Sequence, residues 1–561
     1  MKFATHRPFL AGGGIALLAV LAYLPTLRAG FVWDDIHIYI LNNPLLRQAD
    51  GVLRFWFAAA TPDYYPLAYT TFWIEWRVWG DHPAGYHAVN IVLHAITCVL
   101  LWRVLRRLDV PGAWAAAAVF AVHPVTVETV AWISQRKALL ATVFGFGTLL
   151  CYFKHDTTGR RSAYAASLAL FFLSLSGKPS LITLPIILLG YGWFKRRRIG
   201  RADVLRTLPF FAVAFVMGVI GTWFQSERVI GAEVIRDETA LERLAGAGYA
   251  VWFYAYKALL PLNLSFVYPR WALDASNGFD FLPLVALAVC FAVLWKFRRT
   301  WGRPVLAGFG CFVITLVPAL GFVDVYFWRF SLVGDHYQYQ SLPALIALVV
   351  GGAAYIVKRK HAPPPAALIP IGTALWIGLA ALTWRQCGAY ENEETLWTDT
   401  LQKNPTAWLA HNNLGTLRIA QNRLEDAIRH FNKAVELNPR FAAAYTNIGL
   451  VHAQQGNLLD AVLNYSKAIE LNPRDAAAHN NLGAAFINIG KFPEAEEYLA
   501  EAVRLKPLYA NAHHNLGLAL AGQHCYYDAI ESFRAALRID PAFSKAQTEL
   551  DAASAELRKE K

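Results

Sequence analysis

Two adjacent carboxylates come first among the residues that could do chemistry. The string Phe31-Val32-Trp33-Asp34-Asp35 follows an apolar run from Phe9 to Leu27. Adjacent acids beside a bilayer can hold a divalent ion, or one can serve as general base while its neighbour's charge raises its pKa. A solvated pair that caps a helix is the third reading. His123 and Glu128 fall inside another apolar stretch, where ionisable groups are costly and face a cavity or a partner. Their spacing of five matches no helical metal pair, so they are read as polar groups lining a substrate cavity. His87 and His94, seven apart, share one helix face without making a convincing metal site. The six cysteines are scattered, with no CxxC pair, zinc spacing or disulfide framework.

The elements that must position these groups are membrane helices. The chain of 561 residues is 56% hydrophobic and 16% charged, far from a soluble composition. Residues 391 to 561 hold 17 Lys+Arg against 21 Asp+Glu, so the positive excess belongs to the first 390 residues. There it lies in short clusters between apolar runs: Arg103, Arg106 and Arg107; Lys195 to Arg198; Arg298, Arg299 and Arg303; Lys358 to Lys360. Clusters of this kind mark cytoplasmic loops rather than a nucleic-acid surface, and no nucleic-acid partner is expected. Lys2 and Arg7 precede the first run, which is read as a retained span rather than a cleaved signal because Arg28 interrupts the small-residue pattern.

Further stretches able to span, at ~20 residues each, centre on 86 to 102, 113 to 131, 138 to 153, 163 to 176, 179 to 194, 207 to 225, 281 to 297, 304 to 322, 341 to 357 and 366 to 384. Residues 248 to 262 are weaker and are assigned to a re-entrant or interfacial segment. The outer side then receives residues 28 to 84, 132 to 137, 226 to 247, 263 to 280, 323 to 340 and everything after Arg385. Trp102, Trp193 and Trp384, near span ends, read as interfacial anchors.

The tail repeats. Pro405, Pro439, Pro473, Pro507 and Pro541 stand 34 apart, as do Gly415, Gly449, Gly483 and Gly517, and Ala427, Ala461, Ala495 and Ala529. That is the TPR period with its small-residue and proline positions. Glycine and alanine let two helices approach, and proline ends the second because it has no N–H to donate. The predicted fold class is therefore all-α: a polytopic bundle of about 11 to 13 spans over residues 1–390, then a TPR α-solenoid over 391–561. Four repeats occupy about 408 to 543, with flanking helices, and the stretch from Phe543 turns polar as a cap should. Such a solenoid supplies a protein-binding surface, not catalysis. The Ala- and Arg-rich, Lys-poor spans favour a bacterial inner membrane with a periplasmic tail.

Several strings carry a family likeness: FVWDDIHIYILNNP, YYPL at 64 to 67, GYHAVNIVLH at 85 to 94, FAVHPVTVETVAWISQRKALL at 120 to 140, LSGKPSLITLP at 175 to 185 and KALLPLNLSFVYP at 257 to 269. In this order they resemble the transmembrane and TPR-containing O-mannosyltransferases, similar in fold to GT-C glycosyltransferases. Tyr65 and Pro179 depart from the pattern of the eukaryotic members. The likeness implies transfer of a sugar, with inversion, from a polyprenyl-phosphate donor to a Ser or Thr hydroxyl on an acceptor protein. No glycine-rich nucleotide cradle is evident, which suits a lipid-linked donor. Asp34 or Asp35 would take the acceptor proton. Cations must meet the departing phosphate: the candidates are Arg136, Lys137, Lys178, Arg329 and His336, with membrane-anchor roles for Arg136 and Lys137 as the alternative.

Arg329 stands in WRFSLVGDHYQYQSLP, which resembles the family's last outer-loop motif and brings Asp335, His336 and Tyr337 beside it; Asp335 and Tyr337 are taken as cavity-lining. Asn413, Asn447, Asn481 and Asn515 recur on the first helix of each repeat and resemble the asparagine ladder of the O-GlcNAc transferase superhelix, where amides grip a peptide backbone. An ordinary polar consensus position is the other reading. Two further functions stay open: O-antigen-ligase-like glycan transfer, against which the late loop 323 to 340 is short, and a non-enzymatic TPR scaffold, for which a dozen spans are excessive.

Overall fold

The computed structural model describes residues 8–231, 235–359 and 368–559. Lys2, Arg7, Lys360 and the first residues of the 366 to 384 stretch lie outside the described residues. Every regular element among the described residues is helical, and the chain divides into two compact units, one ending at Asn404 and one over Pro405–Lys561. The chain is thus a multi-pass membrane helical bundle followed by a TPR solenoid. The helix Glu393–Lys403, expected to belong with the tail, packs within the membrane unit, where its Trp397 is buried against Phe266.

Seven helices among the described residues are long and apolar enough to cross a bilayer: Phe9–Arg28, Pro83–Arg107, Ile133–Thr158, Arg201–Ile230, Gly278–Lys296, Gly302–Ala319 and Leu342–Arg359. An eighth is the pair Ala113–Ala121 and Pro124–Ala131, bent by 53°. Pro124 explains the break, since its ring removes the N–H that a continuous helix needs, and the His123 side chain caps the new start by accepting from the Val125 amide. The other expected spans fall on Arg161–Gly177, Leu184–Arg196 and Leu368–Cys387, and the segment assigned as re-entrant or interfacial falls on Ala240–Leu259. The first two of these, 17 and 13 residues long, are shorter than a full crossing.

Burial sorts the helices. Ile133–Thr158 is 61% buried over its apolar window and Pro83–Arg107 56%, so both are central, whereas Gly278–Lys296 at 6% lies at the rim. Leu282, Val285, Val289 and Val293 point outward from that rim helix, a surface suited to lipid rather than water. The hairpin of Ile133–Thr158 with Arg161–Gly177 draws two lysines together. A Cβ at Gly177 would meet the Ala141 nitrogen at 3.1 Å and the Lys137 carbonyl at 3.2 Å, so the bare glycine lets the two helices approach closely just before Lys178. Ser174 fixes the approach by donating to the Ala141 carbonyl at 2.7 Å.

In the second unit four helix pairs begin at Trp408, Ala442, Ala476 and Ala510, and Ser544–Lys559 caps the last. A Cβ at Gly415, Gly449, Gly483 or Gly517 would come within 2.6, 2.7, 2.5 and 2.6 Å of Phe431, Tyr465, Leu499 and Phe533, which is why the glycine repeats with the period. His411, His479 and His513 donate from Nε2 to the carbonyls of Pro405, Pro473 and Pro507, tying each of these first helices to the turn before it.

Candidate functional site

The two aspartates part company in the structure. Asp35 is fully buried: Oδ1 accepts from the Ser134 amide at 2.7 Å and from the Ser134 hydroxyl, and Oδ2 accepts from the Val32 amide at 3.2 Å. It ties the first outer loop to the turn Ile133–Gln135, which leads into a central helix. Burial pushes its carboxyl up to about 7 while these hydrogen bonds pull the other way. Asp34 is half-buried, and among the described residues no side-chain hydrogen bond reaches its carboxyl. Burial raises it too, to about 7, against the attraction of Lys137 and with help from the charge of Asp63.

Trp33 holds this pair in place. Its φ is 45°, the left-handed region that an indole-bearing residue seldom enters. The surroundings over-determine it: the ring stacks on Trp132 at 5.6 Å between centroids and meets Phe266, Phe327, Phe330 and Trp397 edge-on. Its amide donates to Glu393, and the neighbouring Gly30 amide donates to the Glu391 carbonyl at 2.8 Å. A π-helical turn, Asp35–Tyr39, comes immediately after. Strained backbone and π-turns of this kind gather at functional sites.

Around Asp34 the fold assembles groups from four segments. Lys137 donates to the Tyr39 hydroxyl at 2.7 Å and lies over the Tyr39 and Tyr65 rings. The Tyr39 hydroxyl in turn donates to Asp63, which also accepts from Tyr69 at 2.8 Å. Burial holds the Asp63 carboxyl above its usual range, with Lys137 opposing. Lys178 donates to Gln135 at 3.4 Å and lies over the Tyr337 ring. Burial and the nearby charge of Lys137 pull the Lys178 ammonium down to about 7, with Glu128 and Asp63 opposing. Glu128 receives both the His336 amide and its Nδ1, each at 2.9 Å. Because a carboxylate accepts, Nδ1 carries the proton and Nε2 keeps the lone pair of the neutral ring. Burial and then the charges of Lys178 and Lys137 hold His336 well below its ordinary value.

The remaining expected residues lie elsewhere. Arg136 is wholly buried, its guanidinium bound by Glu75 at 2.6 Å, by Asn90 and by the Tyr86 carbonyl, so of the two cations only Lys137 faces the carboxylates. His123 uses both ring nitrogens inside the protein, on the Val125 amide and the Ala258 carbonyl. Asp335 is buried and accepts from the Tyr268 hydroxyl at 3.0 Å; Tyr337 packs on His336. Arg329 sits on the turn Tyr326–Arg329 with its guanidinium against Tyr326. His94 bonds Tyr339 and Ala121, and His87 faces the Gly30 carbonyl. Among the described residues no three His, Cys, Asp or Glu side chains gather as a metal site.

Sequence reasoning passed over Asp63, Tyr39 and Tyr69. The only trace of Asp63 was its place next to the YYPL string.

In the repeat unit the ladder asparagines are half-buried. Asn447 donates to Asn412 and Asn515 to Asn480, each at 2.9 Å, so rungs cross from one repeat to the one before. Asn481 accepts from Asn480 at 3.1 Å, and Asn413 donates back to the Leu409 carbonyl. Asn412 and Asn480, one residue ahead of the ladder, were missed in sequence although they too recur in phase.

Comparison with known proteins adds the lineage. Two family models match the tail, "TPR repeat" at residues 415–456 and 453–490 and "Tetratricopeptide repeat" at 482–542. A protein O-mannosyl-transferase of Caenorhabditis elegans is 26% identical over 447 residues, covering 75% of this chain and 61% of that protein. A stretch of that length exceeds either unit, so the likeness takes in the membrane unit and not the repeats alone. The chain is similar to the protein O-mannosyl-transferases. Tmtc1 of Drosophila melanogaster is 32% identical over 32% of this chain and 22% of its own length, and human TMTC2 is 34% identical over 26% and 19%. The chain thus spans about three-fifths of the nematode O-mannosyl-transferase and about a fifth of the other two. Among solved structures, the TPR protein YrrB is 24% identical over 29% of this chain and 84% of that chain, with a TM-score of 0.27.

Proposed function

We propose that the protein is a GT-C type membrane glycosyltransferase. It moves a sugar, mannose by the name of its relatives, from a polyprenyl-phosphate donor to Ser or Thr hydroxyls of a protein recruited by the repeat unit. The observation that carries this reading is the setting of Asp34: a half-buried carboxylate that no side-chain hydrogen bond reaches among the described residues, next to the charge of Lys137, with burial raising it to about 7. A base poised near neutral pH is what removal of a hydroxyl proton requires. The acceptor oxygen attacks the anomeric carbon, its proton passes to Asp34, and the bond from that carbon to the phosphate oxygen breaks. The lipid phosphate leaves with an added negative charge, which Lys137 and Lys178 stabilise. A single displacement inverts the anomeric centre.

The likeness to named O-mannosyl-transferases supports the reaction class. Segments expected on the outer face, 28 to 84, 132 to 137, 263 to 280, 323 to 340 and the start of the tail, meet around Trp33, which supports a single outer reaction face. In this reading the repeat unit is in the periplasm of a bacterium, and the ladder asparagines hold the acceptor backbone.

The test is a transfer assay in membranes with polyprenyl-phosphate sugars and a periplasmic extract. Asp34→Asn lowers transfer by ~10²- to 10⁴-fold, the range of general base catalysis, while protein yield and helicity stay unchanged. Full transfer by Asp34→Asn would overturn the assignment.

A further inference from the structure

We propose that the first helix pair of the repeat unit carries a binding site for an acidic stretch of polypeptide, separate from the asparagine ladder. The inference rests on the reading that this unit recruits protein acceptors. A cavity of about 330 Å³ opens on this pair, lined by Arg418, Arg423, Arg429 and Lys433 together with His411, His430 and Asp426. Arg423 and Arg429 approach Asp426 from either side, and Lys433 bonds Glu436. Four cations and one carboxylate line the cavity, in a tail whose overall charge is negative.

Spacing chooses among anions. Arg423 and Lys433 are ten residues apart on a helical path, which is ~15 Å at 1.5 Å per residue. One phosphate cannot bridge that distance, whereas a run of carboxylates can. Guanidinium forks also match carboxylates two bonds at a time.

A histidine pair links the pocket to pH. His411 Nε2 lies 3.3 Å from the Pro405 carbonyl, which can only accept, so Nε2 holds the proton and Nδ1 of the neutral ring is a lone pair. The His430 Nδ1, 3.2 Å from it, must then donate. A second proton on His430 goes to Nε2 and leaves that bond intact. Burial, His411, Arg418 and Arg429 hold His430 below its ordinary value, with Asp426 opposing. Burial and Lys433 do the same to His411, with the Pro405 carbonyl and Glu436 opposing. Carboxylates in the pocket reverse the balance, so peptide binding and protonation of His430 reinforce each other.

The measurement is fluorescence anisotropy of a labelled peptide of alternating Glu and Ala on the full-length protein in detergent, beside a Gln and Ala control peptide. The Glu peptide binds, and binds several-fold tighter at about pH 6 than at about pH 8. Arg423→Gln with Arg429→Gln weakens it by ~10-fold or more, given charge-assisted bonds at both positions. His430→Gln keeps the affinity seen at the higher pH and abolishes the tightening. Asp34→Asn binds like the wild type, so failure of the transfer chemistry is distinguishable from failure of this site. Equal binding of the Gln peptide would overturn the proposal, as would unchanged affinity in the double arginine variant. Full displacement by inorganic phosphate at equal anion concentration, or tighter binding of a duplex oligonucleotide, would overturn the assignment to an acidic peptide.

Discussion

Asp34 and Asp35 are sequence neighbours of the same residue type, and burial and hydrogen bonding together separate their work. Asp35 accepts three donors and fastens a loop; Asp34 accepts none among the described residues and faces Lys137. The chemistry of the site then obeys a proton balance. Asp34, raised to about 7, must be ionised to act, so transfer rises as pH climbs through that value. Lys178, lowered to about 7, must be protonated to meet phosphate, so transfer falls as pH climbs further. The expected kcat/KM profile is a narrow bell centred near neutrality, and Lys178→Arg removes its alkaline limb because guanidinium stays charged. A wild-type rate that keeps rising well into the alkaline range would assign the phosphate contact elsewhere. Arg136 and Lys137 carry the converse lesson: adjacent cations on one helical turn point to opposite surroundings, one into a buried pair with Glu75 and one toward Tyr39.

At the scale of elements, close approach of helices decides where these groups end up. Gly177 sits against the backbone of Ala141 and Lys137, so a methyl group there must push the turn before Lys178 outward. Gly177→Ala is expected to cost ~1–3 kcal/mol, the usual range for overpacking a tight contact, and to raise KM for the lipid donor. Thermal unfolding of the purified protein in detergent and donor titration check both halves. An unchanged melting temperature and KM would show that the hairpin tolerates the extra volume. The break before Pro124 works in the same direction, since it places Glu128 where it can receive both the amide and the ring of His336.

For the whole molecule, the decisive relation is which segments share one side of the bilayer. The chain leaves the membrane unit through Glu391–Lys403, which is hydrogen-bonded to Gly30 and Trp33 beside Asp34. Reporter fusions after residue 34 and after residue 450 are therefore expected in the same, non-cytoplasmic compartment, and opposite compartments would sink the proposed reaction. The seven long apolar helices, with the bent pair as an eighth, leave Arg161–Gly177 and Leu184–Arg196 as shorter helices flanking the turn that carries Lys178.

The sequence by itself determined the class of molecule. Hydropathy and charge clusters mark a membrane protein, because a bilayer imposes a length and a composition on each span locally. The 34-residue phase marks the repeats, because every repeat meets the same neighbours and needs the same glycine, alanine and proline. Only the tertiary structure decided which polar residues form the site. Tyr39 joins Asp63 and Lys137 through hydrogen bonds across 24 and 98 positions of chain. Arg136 and His123 turn into the protein because partners distant in sequence, Glu75 and the Ala258 carbonyl, await them. No local pattern encodes such pairings: they depend on which faces of distant helices meet, and burial, which sets the charge state of every group here, exists only once those faces have met.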